Sequence, residues 1–354
     1  MMDTQSNINT YFADSIPRIE DEIQRVLNSP TFTSNSSGLS ALHPALFNTM
    51  LNYHLGFANA DGTPTQVYSG KRIRPVLTLL SCEACDGDID DALPAAAAIE
   101  LLHNFSLIHD DIEDRDELRR GRPTVWKLWG IAQAINAGDA MFSMAHLAIE
   151  RLRERDVPAT RILHALRAFD ETAVALTVGQ HLDLSFETRS DVSVNEYMTM
   201  IQGKTGALIK TACSIGAIVA GAPAERSSAL GSFGAWLGIA FQLQDDVLGI
   251  WGDPERTGKQ DSDLLNRKKT LPVLYAAEKN QRVHDLYFGH RALTDQDIVT
   301  LKQLIEDCNG RTYTQQAAAE AFARSLDALD AAHLSGRAGQ ILHDLANSLV
   351  SRES

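Results

Sequence analysis

Nowhere in its 354 residues does this sequence string together the roughly 18 apolar residues of a membrane-spanning helix, although 44% of the chain is hydrophobic. Its first residues, MMDTQSNINTYFADSIPRIEDE, lack a basic segment followed by an apolar one, so no secretory signal is expected. The expectation is a cytoplasmic protein, with apolar residues enough for a sizeable core. A basic surplus is missing too. The net charge of −14 argues against a nucleic-acid-binding surface. Cysteine is scarce: Cys82, Cys85, Cys213 and Cys308. Cys82 and Cys85 have the spacing of a metal or redox pair, but no second Cys or His pair completes a zinc site. They lie in the apolar stretch RPVLTLLSCEACDG and read as buried thiols one helical turn apart.

Runs of alternating Val, Ile and Thr separated by turn pairs are absent, which excludes an extensive sheet. Also absent are a repeat of solenoid period and any stretch with the composition of an interdomain linker. Helical spacing is what remains. AAAAIELLHNFSLIHDDIED, AINAGDAMFSMAHLAIERLRER, TGALIKTACSIGAIVAGA and LGSFGAWLGIAFQLQDDVLGI are long, rich in Ala and Leu, and free of proline. The expected fold is all-α, a single-domain helical bundle around a deep central cavity. Residues 1–40 form an N-terminal helix and polar segment, and residues 41–354 form the main domain.

The chemistry concentrates in LIHDDIEDRDELRRG, Leu107 to Gly121, which carries six acids and three arginines. Asp110 and Asp114 share a helical face with His103 and Ser106, with Asp111 about 100° off at its edge. Carboxylates crowded at the C-terminal end of an apolar helix repel one another and oppose the helix dipole. A hard divalent cation such as Mg²⁺ removes both penalties. FQLQDDVLGIWGD repeats the design with Asp245 and Asp246, and Gln242 lies one turn earlier. Two such clusters facing each other across a cavity would hold several Mg²⁺ ions around one diphosphate. Basic residues answer them: Lys71, Arg72 and Arg74; Arg119 and Arg120; Lys204; Lys259, Lys268 and Lys269. Arginine suits bidentate phosphate binding and lysine acts as a point charge. Gly203-Lys204-Thr205 is not a P-loop, because Met198 stands where that motif needs glycine. Together these residues read as a site for two diphosphates, one metal-bound and one bound directly.

In order and spacing, GKRIRP, DDIED, RRGRPT, GKT, FQLQDD and the TGK…SDL…KKTLP tail resemble the trans-isoprenyl diphosphate synthases (polyprenyl synthetases), from about Gly70 to Pro272. The resemblance implies a homodimer in which residues 41–354 form the catalytic domain. It implies that Asp110 and Asp114, supported by Asp111, hold two Mg²⁺ ions and that Asp245 holds a third, with Mn²⁺ as the alternative metal. Arg119, Lys204, Lys259 and Lys268 would then bind an allylic diphosphate of five, ten or fifteen carbons. Lys71, Arg74, His103 and Arg120 would bind isopentenyl diphosphate, while Thr205 and Gln242 face the developing carbocation. The third acid of the second cluster is missing, since Gly249 occupies that position. Asp253 is the candidate substitute, acting through water.

In the same family, residues just before the first acidic motif set product length. Phe105 and Ser106 with no insertion in DDIED look most like geranylgeranyl (C20) makers. Helix arithmetic alone places Phe105 about 140° from Asp110, so a plain core role stays open, as do C15 and C25 products. A class I terpene cyclase needs no metal-free diphosphate site, and a non-catalytic regulatory subunit would be expected to lose aspartates or the arginine pair. No Ser-His-Asp arrangement calls for a protein nucleophile.

Overall fold

The computed structural model describes residues 2–28, 45–67, 70–252, 262–289 and 291–350. Helices make up nearly all of its regular structure, as the spacing of apolar residues requires. Packing divides the chain into two compact units. The first comprises residues 1–169 and 215–222; the second comprises 170–214 and 223–354.

The spine of the first unit is α4 (Ile89–Glu113), preceded by α1 (Met2–Leu27), α2 (Ala45–His54) and α3 (Ile73–Glu83). Asp88 caps α4 by accepting from the backbone N–H of Asp90 at 2.9 Å. Four successive alanines, Ala95 to Ala98, are fully buried. Without longer side chains, the neighbouring helices α1, α3 and α6 (Ile131–Glu150) pack close to its backbone. α1 belongs to this unit: Ile19 and Ile23 have no exposed surface, and the helix packs on α4. Cys82 and Cys85 are buried free thiols, and burial pushes the Cys82 thiol up to about 12. Their burial agrees with the reading of the apolar stretch as holding two buried thiols.

Between α4 and α5 (Val125–Trp129) lies a feature not anticipated by helical spacing. β1 (Leu118–Arg119) pairs antiparallel with β2 (Arg122–Pro123). Arg120 and Gly121 form the turn with φ of 53° and 76°. A two-residue hairpin loop of this hand needs positive φ at both positions.

α7 (Ala159–Glu187) runs from the first unit into the second. It is followed by α8 (Val194–Ile201), opened by a Ser193–Glu196 capping box, and α9 (Ala207–Ala220). The second unit is organised by α10 (Ala224–Trp251). α11 (Ser262–Leu265), α12 (Leu271–Lys279), α13 (Gln281–Phe288), α14 (Asp295–Asp307), α15 (Gly310–Ala331) and α16 (Gly336–Val350) complete it, with α15 lying along α10. One apolar cluster gathers Phe186, Tyr197, Ile201, Ile239, Leu243 and Leu271. Among the described residues, no helix is long and apolar enough to cross a membrane.

Candidate active site

α4 stays hydrogen-bonded to its end, where the Asp114 N–H donates to the Asp110 carbonyl at 2.8 Å. Asp110 and Asp114 therefore share one face, a turn apart. Asp114 is exposed and Asp110 half-buried. Asp111 is placed differently. It is buried, and its Oδ1 accepts from Arg119 Nε at 2.6 Å. Burial pushes its pKa up to about 6 against the pull of Arg119, while Asp116 and Asp114 add to the rise. Its Oδ2 is buried with no hydrogen-bond partner among the described residues. Of the three acids expected at this cluster, two are presented together and Asp111 anchors the hairpin arginine.

The hairpin delivers the arginine pair. Arg119 is partly shielded, whereas Arg120 is exposed and lies against Gly70, where a Cβ would stand 2.9 Å from its Nη2. Arg74, inside α3, places Nη1 3.2 Å from His103 Nε2 on α4. His103 is held well below the usual imidazole range, first by burial and then by the charges of Arg74, Arg120 and Arg119. His54, at the end of α2, is pushed down to about 3 by burial and then by Arg119, Arg120, Arg72 and Arg122. Two neutral imidazoles set among guanidinium groups suit an anion: the arginines attract it and an imidazole N–H can donate to it. Lys71 is exposed. Arg72 is not free to join it. That side chain is buried at the start of α3, paired with Glu100 and Glu20 and donating to the Leu55 carbonyl at 3.1 Å.

In the second unit, Gln202–Gly206 forms one π-helical turn between α8 and α9. Such a turn is uncommon and concentrates at functional sites. It packs closely against α7. A Cβ at Gly203 would stand 2.7 Å from the Ala175 carbonyl, and one at Gly179 only 2.2 Å from the Lys204 nitrogen. Glycine on both surfaces lets the turn seat on α7. Lys204 Nζ then reaches Asp183 Oδ2 at 2.6 Å. Thr205 Oγ1 donates to Gln242 Oε1 at 3.0 Å, and Gln242 Nε2 reaches Asp246 Oδ1 at 3.3 Å.

Asp246 ends that chain in the core. It accepts from the Tyr197 hydroxyl and from the Leu271 N–H at 3.0 Å, and burial raises its pKa to about 7. Asp245, one residue earlier, is half-buried. The two aspartates of FQLQDD have thus separated, Asp246 tying α10 to α8 and α12 while Asp245 remains partly accessible. Lys268 is mostly exposed, its Nζ 3.9 Å from Asp263 Oδ1. Lys269 turns to the Glu187 carbonyl at 3.0 Å. Lys259 and Asp253 lie outside the described residues.

Phe105 is half-buried. It contacts the His109 ring edge-on, with centroids 4.8 Å apart, and Phe142 on α6 at 5.0 Å. Ser106 is buried and its hydroxyl donates to the His103 carbonyl at 2.8 Å. Sequence reasoning passed over His54, Asp183, Tyr197 and Asp263. His54 lies in a ten-residue helix with no recognisable motif. Asp183 could have been found from its place in the same long apolar-faced helix as Gly179, but only the fold pairs it with Lys204.

The sequence matches the family profile described as polyprenyl synthetase over residues 63–307. It is 42% identical to a (2E,6E)-farnesyl diphosphate synthase of Mycobacterium tuberculosis over 313 residues, covering 86% of each chain. It is 41% identical to a geranylgeranyl diphosphate synthase of the same organism over 286 residues, covering 79% of this chain and 81% of the other. Its fold resembles the crystal structure of a polyprenyl synthetase from Streptomyces coelicolor A3(2), with a TM-score of 0.83 at 36% identity, covering 94% of this chain and 98% of that one.

Proposed function

The chain belongs to the polyprenyl synthetase family and is a prenyltransferase, and from that premise we propose that it condenses isopentenyl diphosphate head to tail with allylic diphosphates up to the C20 product, geranylgeranyl diphosphate. The observation that carries elongation over cyclisation is the Arg74–His103 pair, set with His54 among the positive charges of Arg119 and Arg120. A cyclase has no use for a second anion subsite without carboxylates.

Mg²⁺ fits the residues of the first acidic set. Among the described residues no three His, Cys, Asp or Glu side chains gather closely enough to hold a metal by themselves. Mg²⁺ needs only one or two carboxylates, because phosphate oxygens and water complete its shell. Asp110 and Asp114 offer hard oxygens one turn apart, and Asp245 offers another. When bound, the metal neutralises the departing diphosphate.

The chain's own residues do the rest. Arg119, fixed by Asp111, presents its remaining N–H groups, and Lys204, fixed by Asp183, presents a fixed positive charge to the allylic diphosphate. Lys268 and Lys259 add to that charge. Arg74, His103, Arg120 and Lys71 hold the diphosphate of isopentenyl diphosphate and so aim its double bond. As the allylic C–O bond breaks, the Thr205 and Gln242 oxygens face the developing cation. The new C–C bond forms, and the proton lost from the isopentenyl carbon passes to the departing diphosphate.

Phe105 and Ser106 support the C20 assignment, with no insertion in DDIED. A homodimer is part of the same reading. Leu163, Val174 and Val178 on α7 are all more than half exposed and follow one helical face, an apolar stripe suited to a second copy.

The test is to incubate purified protein with Mg²⁺, isopentenyl diphosphate and, separately, the C5, C10 and C15 allylic diphosphates, then resolve products by length. A C20 product is expected. Cyclic hydrocarbon from an allylic substrate alone would point to a cyclase, and no product at all would shift weight to a regulatory subunit.

A further inference from the structure

Arg267 stands in the turn between α11 and α12 with φ of 52°, the left-handed region that strains any residue carrying a Cβ. Glycine is the ordinary occupant of such a position. Here a long side chain occupies it, and its contacts show what it does. Its Nη1 donates to the carbonyls of Tyr287 and, at 3.4 Å, Leu286. Its Nη2 donates to the Arg291 carbonyl at 2.5 Å. Leu286 and Tyr287 lie in the last turn of α13, where helix carbonyls have no partner within the helix. A planar guanidinium can bind several carbonyls at once, whereas glycine offers no donor and a lysine amine no fork. Arg267 thus fastens the turn to the end of α13.

The same turn is held from other directions. The Lys268 carbonyl accepts from the Tyr287 hydroxyl at 2.7 Å and from the Thr270 N–H at 3.0 Å. The Lys268 N–H donates to the Asp263 carbonyl at 2.9 Å. Tyr287 has no exposed surface, so its bond is sheltered from water. Lys269 turns its Nζ to the Glu187 and Arg267 carbonyls, at 3.0 and 3.4 Å. The backbone on both sides of Lys268 is therefore tied down, while its side chain stands out, 63% exposed and 3.9 Å from Asp263. A point charge on a flexible four-carbon stem binds weakly when its base also moves, because ordering it costs entropy.

We propose that Arg267 is a positioning residue for the allylic diphosphate: by clamping the end of α13 it holds the left-handed turn that aims Lys268. The segment that sets Lys268 is thus 19 to 24 residues downstream of the clamp. Loss of the clamp frees the turn without removing a charge that meets the substrate. This inference rests on the reading of Lys268 as a ligand of that diphosphate.

The experiment measures, by calorimetry with Mg²⁺ present, binding of the C10 allylic diphosphate to the full-length protein, to Arg267→Gly, to Lys268→Ala and to the double variant. Arg267→Gly suits the left-handed turn and removes only the clamp. Lys268→Ala is expected to weaken binding about 10-fold, the low end for losing a hydrogen bond to a charged group. Arg267→Gly is expected to weaken it at least about threefold, yet to add less than about twofold once Lys268 is alanine, the scatter of independent sites. Binding of isopentenyl diphosphate should be unchanged in both single variants, which a generally loosened fold would not allow. If circular dichroism shows the glycine variant poorly folded, Arg267→Lys, which keeps the charge but not the fork, takes its place in the same cycle. Wild-type affinity in Arg267→Gly beside a weakened Lys268→Ala overturns the proposal and leaves the reading of Lys268 standing. An Arg267→Gly loss that persists in full in the Lys268→Ala background also overturns it, since Arg267 then acts by another route. Wild-type affinity in Lys268→Ala overturns the reading of Lys268 and the proposal with it.

Discussion

The α carbon of Gly179 and the backbone nitrogen of Lys204 are so close that a Cβ on Gly179 would stand 2.2 Å from that nitrogen. Gly→Ala inside a helix ordinarily stabilises by about 0.5–1 kcal/mol. At Gly179 the sign should reverse. The π-helical turn must move to make room, and overpacking of this kind costs about 1–3 kcal/mol. Lys204 would also lose its 2.6 Å contact with Asp183. Gly179→Ala is therefore expected to lower both urea stability and turnover, the latter at least about tenfold for a displaced charge. Gly231→Ala on α10, where a Cβ meets nothing nearer than 3.4 Å, is the comparison and should be neutral or stabilising.

Asp245 and Asp246 are neighbours with separate tasks, and alanine substitution should split activity from stability. Asp246→Ala strands three donors in the core: the Tyr197 hydroxyl, the Leu271 N–H and the Gln242 amide. A loss of about 3 kcal/mol or more is expected. Asp245→Ala should cost under about 1 kcal/mol yet reduce turnover by about 10³-fold, near 4 kcal/mol in barrier. Asp110→Ala should behave like Asp245→Ala. Circular dichroism and denaturant curves beside product assays decide this, and near-normal activity in both variants would sink the mechanism.

Phe105→Ala removes a ring that contacts His109 and Phe142. If Phe105 ends the space available to the growing chain, the variant will give products longer than those of wild type in the same assay. If its role is packing alone, product length will stay unchanged while the cavity costs about 3 kcal/mol or more. Chromatography of the products and one unfolding curve separate these results.

The helices, the Asp110–Asp114 face and the rejection of a P-loop were legible because each depends on spacing within a few turns. What was not legible depends on burial and on distant partners. Asp110 and Asp111 are equivalent as letters, but only Asp111 faces inward to Arg119. The same holds for Asp245 and Asp246, which differ because Tyr197 and Leu271 happen to meet one of them. The π-helical turn at Lys204 needs Gly179, on another helix. Gly249 read as a lost acid, and only the fold brings Asp263 to it. Arg72 looked like its neighbours in GKRIRP until Glu20 and Glu100 closed around it.

His54 gives a prediction about pH. Its folded-state pKa is pushed down to about 3, from an ordinary value of 6.5, by burial and by the surrounding arginines. Between those values the unfolded chain binds a proton that the folded chain does not. Stability contributed by neutral His54 is therefore fully present above about pH 6.5 and lost as pH falls toward 3, at up to about 1.4 kcal/mol per pH unit. His103 acts in the same direction. Asp111 and Asp246 act in the opposite one. Their pKa values are raised to about 6 and 7, so as pH falls through that range the folded state takes up protons first and gains. The net slope of wild type mixes the two effects, but its difference from His54→Gln isolates one. Urea midpoints at pH 7, 6 and 5 should fall less steeply in His54→Gln, because glutamine has no proton to gain on unfolding. Parallel curves would mean that His54 is solvated in the folded protein and takes no part in an arginine-lined anion site.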